Sequence, residues 1–161
     1  MLDFIISNKI YSYEDFKSIS NDRIKVCLSS KSKVLINQSH KNLINILASN
    51  IPVYGVTTGF GKLSNININQ EDQRKLQLNL VRSHASGVGK ALNKDLVRII
   101  MLLKLLTFSK GYSGIREIVV DKLIYFLNND IIPVIPQKGS VGASGDLAQL
   151  SHLALTLIGE G

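Results

Sequence analysis

The sequence predicts a mainly α-helical chain with short extended segments and glycine-rich loops. Three observations carry that prediction. Apolar residues recur at helical spacing in several separate segments, two of those segments are apolar around almost their whole circumference, and glycines cluster in the stretches between them.

Taken in order, Ser12 followed by Glu14 and Asp15 reads as a cap opening a short helix through about Ile19. Ile24-Lys25-Val26-Cys27-Leu28 reads as a short extended piece. Val34, Leu35, Leu43, Ile44, Ile46 and Leu47 suggest a helix over 30–48, with a weakly patterned middle at Asn37-Gln38-Ser39-His40. Ile51-Pro52-Val53-Tyr54-Gly55-Val56-Thr57-Thr58-Gly59-Phe60-Gly61 has three glycines close together and reads as a loop of tight backbone. Further helices are expected over 70–83, 94–109 and 115–127, and one from about residue 145 to the end. No internal repeat or low-complexity segment is present.

Two of these helices lack a polar face. Residues 96–106 are apolar except for Arg98 and Lys104, and Leu147, Ala148, Leu150, Leu153, Ala154, Leu155, Leu157 and Ile158 cover much of a second circumference. Such helices belong inside a larger bundle or at a subunit interface, and a chain of 161 residues has little interior to hide two of them. The expectation is an incomplete protein or an obligate oligomer.

Composition narrows the function classes. With 45% hydrophobic and 19% charged residues this is globular material. The net charge of +7 comes from basic residues scattered among Lys31/Lys33, Arg74/Lys75 and Arg98/Lys104, with no basic run interleaved with aromatics. That pattern is solvated surface rather than a nucleic-acid footprint. Cys27 is the only cysteine, which excludes an internal disulfide or a cysteine-based zinc site and fits a reduced, cytoplasmic setting. The start, Met1-Leu2-Asp3-Phe4-Ile5-Ile6, does not read as a secretory signal, and the most apolar stretch is too short and too charged for a membrane span.

The densest chemical signal is Lys138-Gly139-Ser140-Val141-Gly142-Ala143-Ser144-Gly145-Asp146-Leu147. From residue types alone it is a glycine-rich loop in which Ser144 or Asp146 caps the following helix, or a cradle of backbone N–H groups for an anion. Neither the phosphate-loop nor the dinucleotide pattern is present.

Gly142-Ala143-Ser144-Gly145-Asp146-Leu147 resembles the signature of the aromatic amino-acid ammonia-lyase and aminomutase family. Tyr54-Gly55-Val56-Thr57-Thr58-Gly59-Phe60-Gly61 resembles that family's tyrosine loop, and Ser83-His84-Ala85-Ser86-Gly87-Val88-Gly89 its substrate-binding segment. Gly111-Tyr112-Ser113-Gly114-Ile115-Arg116 and Ile135-Pro136-Gln137-Lys138-Gly139-Ser140 fit as well, in the family's order, so the likeness runs from about residue 3 to the end.

The resemblance implies that Ala143-Ser144-Gly145 cyclises and dehydrates to a 4-methylidene-imidazol-5-one, an electrophile that no ordinary side chain supplies. Glycine suits position 145 because its nitrogen must reach the Ala143 carbonyl carbon, where a side chain on either partner would obstruct the approach, and because glycine tolerates the backbone distortion required. Asp146 is implied to assist the cyclisation. Tyr54 is implied to remove the substrate's β-proton, which requires surroundings that stabilise phenolate, whereas its plain reading is a residue packed beside a loop. His84, otherwise an interior histidine, is placed at the substrate's side chain. The Ser83-His84 pair resembles the histidine-specific branch. Gly61, with Gly59, lets backbone approach the substrate or simply forms the turn. His40 and His152 match no implied role.

The implied reaction is elimination of ammonia from L-histidine to give trans-urocanate, with no metal or diffusible cofactor and no nucleic-acid or membrane partner. A phenylalanine or tyrosine lyase, an aminomutase, or a non-catalytic interaction module derived from the family are the alternatives. Family members are several times longer, draw further site residues from regions absent here, and assemble as tetramers around a bundle of long helices. Residues 1–161 are therefore expected to be an amino-terminal portion that contains the electrophile loop, lacks that bundle and is inactive alone. Gln149 stands where the family usually has proline, and Leu106 where many relatives carry a polar residue.

Overall fold

Two parallel strands joined through a helix begin the chain. In the computed structural model, which describes residues 3–19, 24–49, 51–143 and 145–161, β1 (Asp3–Ile6) pairs in parallel with β2 (Lys25–Leu28). The register sets Phe4 beside Val26 and Ile6 beside Leu28. Between them lies α1 (Tyr13–Ile19), opened as expected by a reciprocal cap. The Asp15 N–H donates to Ser12 Oγ at 3.3 Å, and the Ser12 N–H donates to the Asp15 carboxylate at 2.7 Å.

The remaining helices are α2 (Ser30–Ala48), α3 (Gln70–His84), α4 (Lys94–Ser109), α5 (Glu117–Asn128) and α6 (Leu147–Ile158). Asn69 and Asn93 open α3 and α4, each accepting from the N–H three residues on. A 3-10 turn covers Gly61–Leu63. The chain is thus mainly α-helical, as the sequence predicts. No helix among the described residues is long and apolar enough to cross a membrane.

The chain divides into two compact units. The first comprises residues 1–42 and 91–135. Its core gathers Ile6, Val26, Ile36, Val97, Met101, Leu102, Leu105, Val120, Leu123 and Leu127, all essentially excluded from solvent. Asn128 ties α5 to β2 through two hydrogen bonds with the Val26 backbone, 2.8 and 2.9 Å. Arg98, one of the two charges that interrupt the apolar helix, is buried there. It donates to the Leu127 carbonyl and to the Asp130 carboxylate, each at 3.2 Å, so a cation lies at the carbonyl end of α5.

The weakly patterned middle of α2 also has its explanation in this unit. Ser39 Oγ accepts from the Gly114 N–H at 2.9 Å, His40 Nδ1 donates to the Gly114 carbonyl at 2.9 Å, and Asn37 donates to Glu117. The polar face of the helix holds the loop before α5, which makes His40 structural.

The second unit comprises residues 43–90 and 136–161 and contains the tyrosine loop, the Ser83-His84 segment and the tripeptide loop. Here α3 packs against α6, and β3 (Val88–Ala91) pairs with β4 (Pro136–Lys138). Neither these two strands nor β1 is evident in the sequence. Segments such as Val-Gly-Lys-Ala carry no alternation, and only a partner strand makes them extended.

Candidate active site

Within the second unit, the substrate-binding segment and the tripeptide loop share one cleft of about 260 Å³. Ser83, His84 and Ser86 line it together with Gly139, Ser140, Val141, Gly142, Ala143, Gly145, Leu147 and Ala148. Ser144 lies outside the described residues. Tyr54, Gly61 and Asp146 are not among the lining residues.

Two missing side chains bring these segments together. A Cβ placed on Gly139 would lie 2.9 Å from Gly87 Cα and 3.0 Å from Ala148 Cβ. A Cβ on Gly87 would lie 2.9 Å from His152 Nε2 and 3.0 Å from Pro136 Cβ. The Gly87 N–H donates to His152 Nε2 at 3.1 Å. Ala148 and His152, four residues apart on one face of α6, thus meet the paired glycines. His152, which matches no implied role in the sequence, is structural here: it accepts the Gly87 N–H and seats that segment against α6.

His84 sits at the last residue of α3, half-buried. Its Nδ1 is 2.9 Å from the Leu80 carbonyl and 3.1 Å from Ser83 Oγ, and Ser83 Oγ itself donates to Leu80 at 3.1 Å. A carbonyl only accepts, so Nδ1 carries the proton and Nε2 is the acceptor. The preceding residue, Arg82, donates two hydrogen bonds to Glu160 at 2.7 and 2.6 Å, tying the end of α3 to the segment after α6.

The Arg82 guanidinium holds the Glu160 carboxyl below the ordinary glutamate range. A depressed folded-state value means that the stabilisation is present above the unfolded carboxylate pKa and is lost as pH falls through the lowered folded value. Thermal midpoints of the chain and of Glu160→Gln should therefore differ slightly at neutral pH and converge in acid. A gap that persists undiminished in acid would show that the ion pair is not its source.

In the tyrosine loop, Tyr54 is 63% exposed and its ring meets Phe60 edge-on at 5.7 Å. The Gly61 N–H, at the start of the 3-10 turn, points at the Tyr54 phenolic oxygen at 3.4 Å, so Gly61 serves the turn and faces the tyrosine. Thr57 and Thr58 are buried and organise the loop from within. Thr57 Oγ1 accepts from the Val53 N–H at 2.7 Å, and Thr58 Oγ1 accepts from the Gly55 N–H at 3.3 Å. Gln77 of α3 donates to the Gly55 carbonyl at 2.8 Å. A separate cavity of about 540 Å³ lies between Ile44, Leu47, Ile68 and Gln73, and none of the candidate site residues lines it.

The tripeptide loop leads into α6. Asp146 occupies the N-cap position but makes no side-chain cap hydrogen bond, so its carboxylate is not spent on the helix. Gly145 has φ +124°, and a Cβ there would meet nothing within 4 Å. The backbone conformation alone calls for glycine there, and the surroundings of the open loop leave space for a side chain. Gln149, in the first turn, has its Oε1 buried with no hydrogen-bond partner among the described residues. No group of three or more His, Cys, Asp or Glu that could hold a metal occurs among the described residues.

The family model for aromatic amino acid lyase matches residues 11–161. The chain is similar to the histidine ammonia-lyase of Staphylococcus saprophyticus, 42% identical over 156 residues, which are 97% of this chain and 31% of that protein. Its backbone resembles the solved tyrosine aminomutase from Streptomyces globisporus with a TM-score of 0.92 at 38% identity, over 99% of this chain and 30% of that one. It also resembles histidine ammonia-lyase from Trypanosoma cruzi, with a TM-score of 0.87 at 31% identity, over 99% of this chain and 31% of that one. The chain thus spans about a third of the length of its relatives. A cleft that joins the Ser83-His84 segment to an Ala-Ser-Gly loop, on a backbone and sequence shared with these enzymes, places the chain in the aromatic amino acid lyase family.

Proposed function

We propose that residues 1–161 are the amino-terminal portion of a carbon–nitrogen lyase that eliminates ammonia from L-histidine to give trans-urocanate. The observation that carries this reading is the shared cleft: the one imidazole of the substrate-binding segment opens onto the same space as the tripeptide loop. The 4-methylidene-imidazol-5-one formed from Ala143-Ser144-Gly145 supplies an electrophilic methylene at that cleft. The residues present suit its formation, since Gly145 already holds a conformation that other residues resist and the Asp146 carboxylate beside the loop makes no cap hydrogen bond to α6.

His84 Nε2, held as an acceptor by the bond at Nδ1, receives an N–H from the substrate's imidazole. Ser83 fixes the His84 ring. Tyr54 takes the β-proton, its phenolic oxygen facing the Gly61 N–H. Tyr54 stands off the cleft, which supports a working site completed by further chain and by other subunits; the whole protein is read as a cytoplasmic homotetramer. The chain alone is accordingly inactive.

Intact mass and peptide mapping test the reading directly. The expected result is a deficit of two waters on the peptide containing Ala143-Ser144-Gly145, and an unmodified peptide overturns it. The likeness to a tyrosine aminomutase favours a second reading, an enzyme acting on tyrosine or phenylalanine. A chimera in which this chain replaces the matching segment of the Staphylococcus saprophyticus enzyme separates the two. Release of ammonia from L-histidine, lost on His84→Phe by roughly tenfold or more, supports the first. Equal turnover of L-histidine by the variant removes His84 from substrate recognition.

A further inference from the structure

The tripeptide loop is held by a side chain that the family resemblance did not single out. Ser140 Oγ donates to the Gly145 carbonyl at 3.1 Å and accepts from the Gly142 N–H at 3.2 Å. Its two partners are the residue just before the tripeptide and the last residue of it. One hydroxyl therefore draws both ends of 142–145 toward itself. Among the described residues, no backbone–backbone hydrogen bond from 139–143 or from Gly145 does this instead. Ser140 is half-buried and lines the cleft with His84.

Resting on the reading that the tripeptide cyclises, we propose that Ser140 is a positioning residue for ring closure, its hydroxyl holding Gly142 and Gly145 in the curl from which ring closure proceeds. The closure forms a bond from the Gly145 nitrogen to the Ala143 carbonyl carbon. The Ala143 oxygen leaves as water with one proton from the Gly145 nitrogen and one from the Ser144 nitrogen, which becomes doubly bonded to that carbon. Ser144 then loses its Cα proton and its hydroxyl as a second water. Nothing is oxidised or reduced, and no co-reactant is consumed. What limits such a reaction is how often nitrogen and carbon are brought together, and that frequency is what a hydrogen-bonded curl raises. The geometry asks one hydroxyl to donate and accept at once, which a serine or threonine can do and an apolar residue cannot.

The test compares the purified chain with Ser140→Ala, Ser140→Thr and Ser140→Val, reading the fraction of the Ala143-Ser144-Gly145 peptide that has lost two waters at a fixed time after synthesis. Thermal midpoint and far-ultraviolet circular dichroism are taken on the same samples. Threonine and valine fill nearly the same volume and differ in the hydroxyl, so their comparison stands even where Ser140→Ala folds poorly. The expected result is a modified fraction retained in the wild type and Ser140→Thr and lower by about tenfold in Ser140→Ala and Ser140→Val, as loss of two ordinary hydrogen bonds implies. Ser140→Val modified as fully as Ser140→Thr overturns the positioning role while leaving cyclisation standing. A wild-type chain with no deficit overturns the cyclisation reading itself and this proposal with it.

Discussion

Gly145→Ala is expected to lower the fraction of chain that loses two waters by about 5- to 150-fold, the range that corresponds to a strain of about 1–3 kcal/mol at a backbone conformation L residues resist. Gly145 has φ +124°, where alanine is strained whatever the space around it. A Cβ there meets nothing within 4 Å, so the loss comes from the backbone and not from a clash that repacking could relieve. An alanine chain relaxes toward negative φ. That turns the Gly145 carbonyl away from Ser140 Oγ and carries its nitrogen off the Ala143 carbonyl carbon. Peptide mapping of wild type and variant reads the effect. A full two-water deficit in Gly145→Ala would show that ring closure does not depend on this conformation.

Gly139→Ala is expected to destabilise the chain by about 3 kcal/mol, from backbone strain and overpacking together. That corresponds to a fall in thermal midpoint of roughly 6–12 °C for a chain of this size. Gly139 combines φ +147° with the closest approach in the cleft. Its Cβ would lie 2.9 Å from Gly87 Cα and 3.0 Å from Ala148 Cβ. Both neighbours are backbone or the root of a side chain, with no flexible tip to swing aside, so the two loops must part. Gly159→Ala is the comparison. Gly159 is the left-handed C-cap of α6 at φ +83°, and a Cβ there meets nothing within 4 Å, so it incurs only the conformational cost of about 1 kcal/mol. Equal midpoints for the two variants would mean that the Gly87–Gly139 approach contributes nothing to stability.

The helices were legible in the sequence to different degrees, for identifiable reasons. Residues 94–109 read as a helix and form one over just those residues, because its apolar residues are nearly continuous. Residues 30–48 also form the helix expected, although its polar middle gave no period. Asn37, Ser39 and His40 are used to hold Gly114 and Glu117, a role visible only once those distant residues are in place. The last helix was expected from about residue 145 and begins at Leu147, because the unusual backbone of Gly145 keeps the tripeptide loop out of it. The strands β1, β3 and β4 were not legible, since three or four residues without alternation become extended only when a partner supplies the hydrogen bonds.

What this sequence determined by itself was local: where helices start, which segments are apolar, and which residues carry chemistry. Periodicity, caps and the Ala143-Ser144-Gly145 motif act within a few residues of themselves, while the chain's likeness to the aromatic amino acid lyases runs over residues 11–161. The tertiary structure alone decided that His84 opens onto the tripeptide loop while Tyr54 does not line that cleft. It decided this through two glycines from separate segments, Gly87 and Gly139, whose absent side chains allow an approach that no single segment encodes. Ser140 belongs to the same class, because a serine's hydrogen bonds are set by which carbonyl and which N–H the fold carries to it.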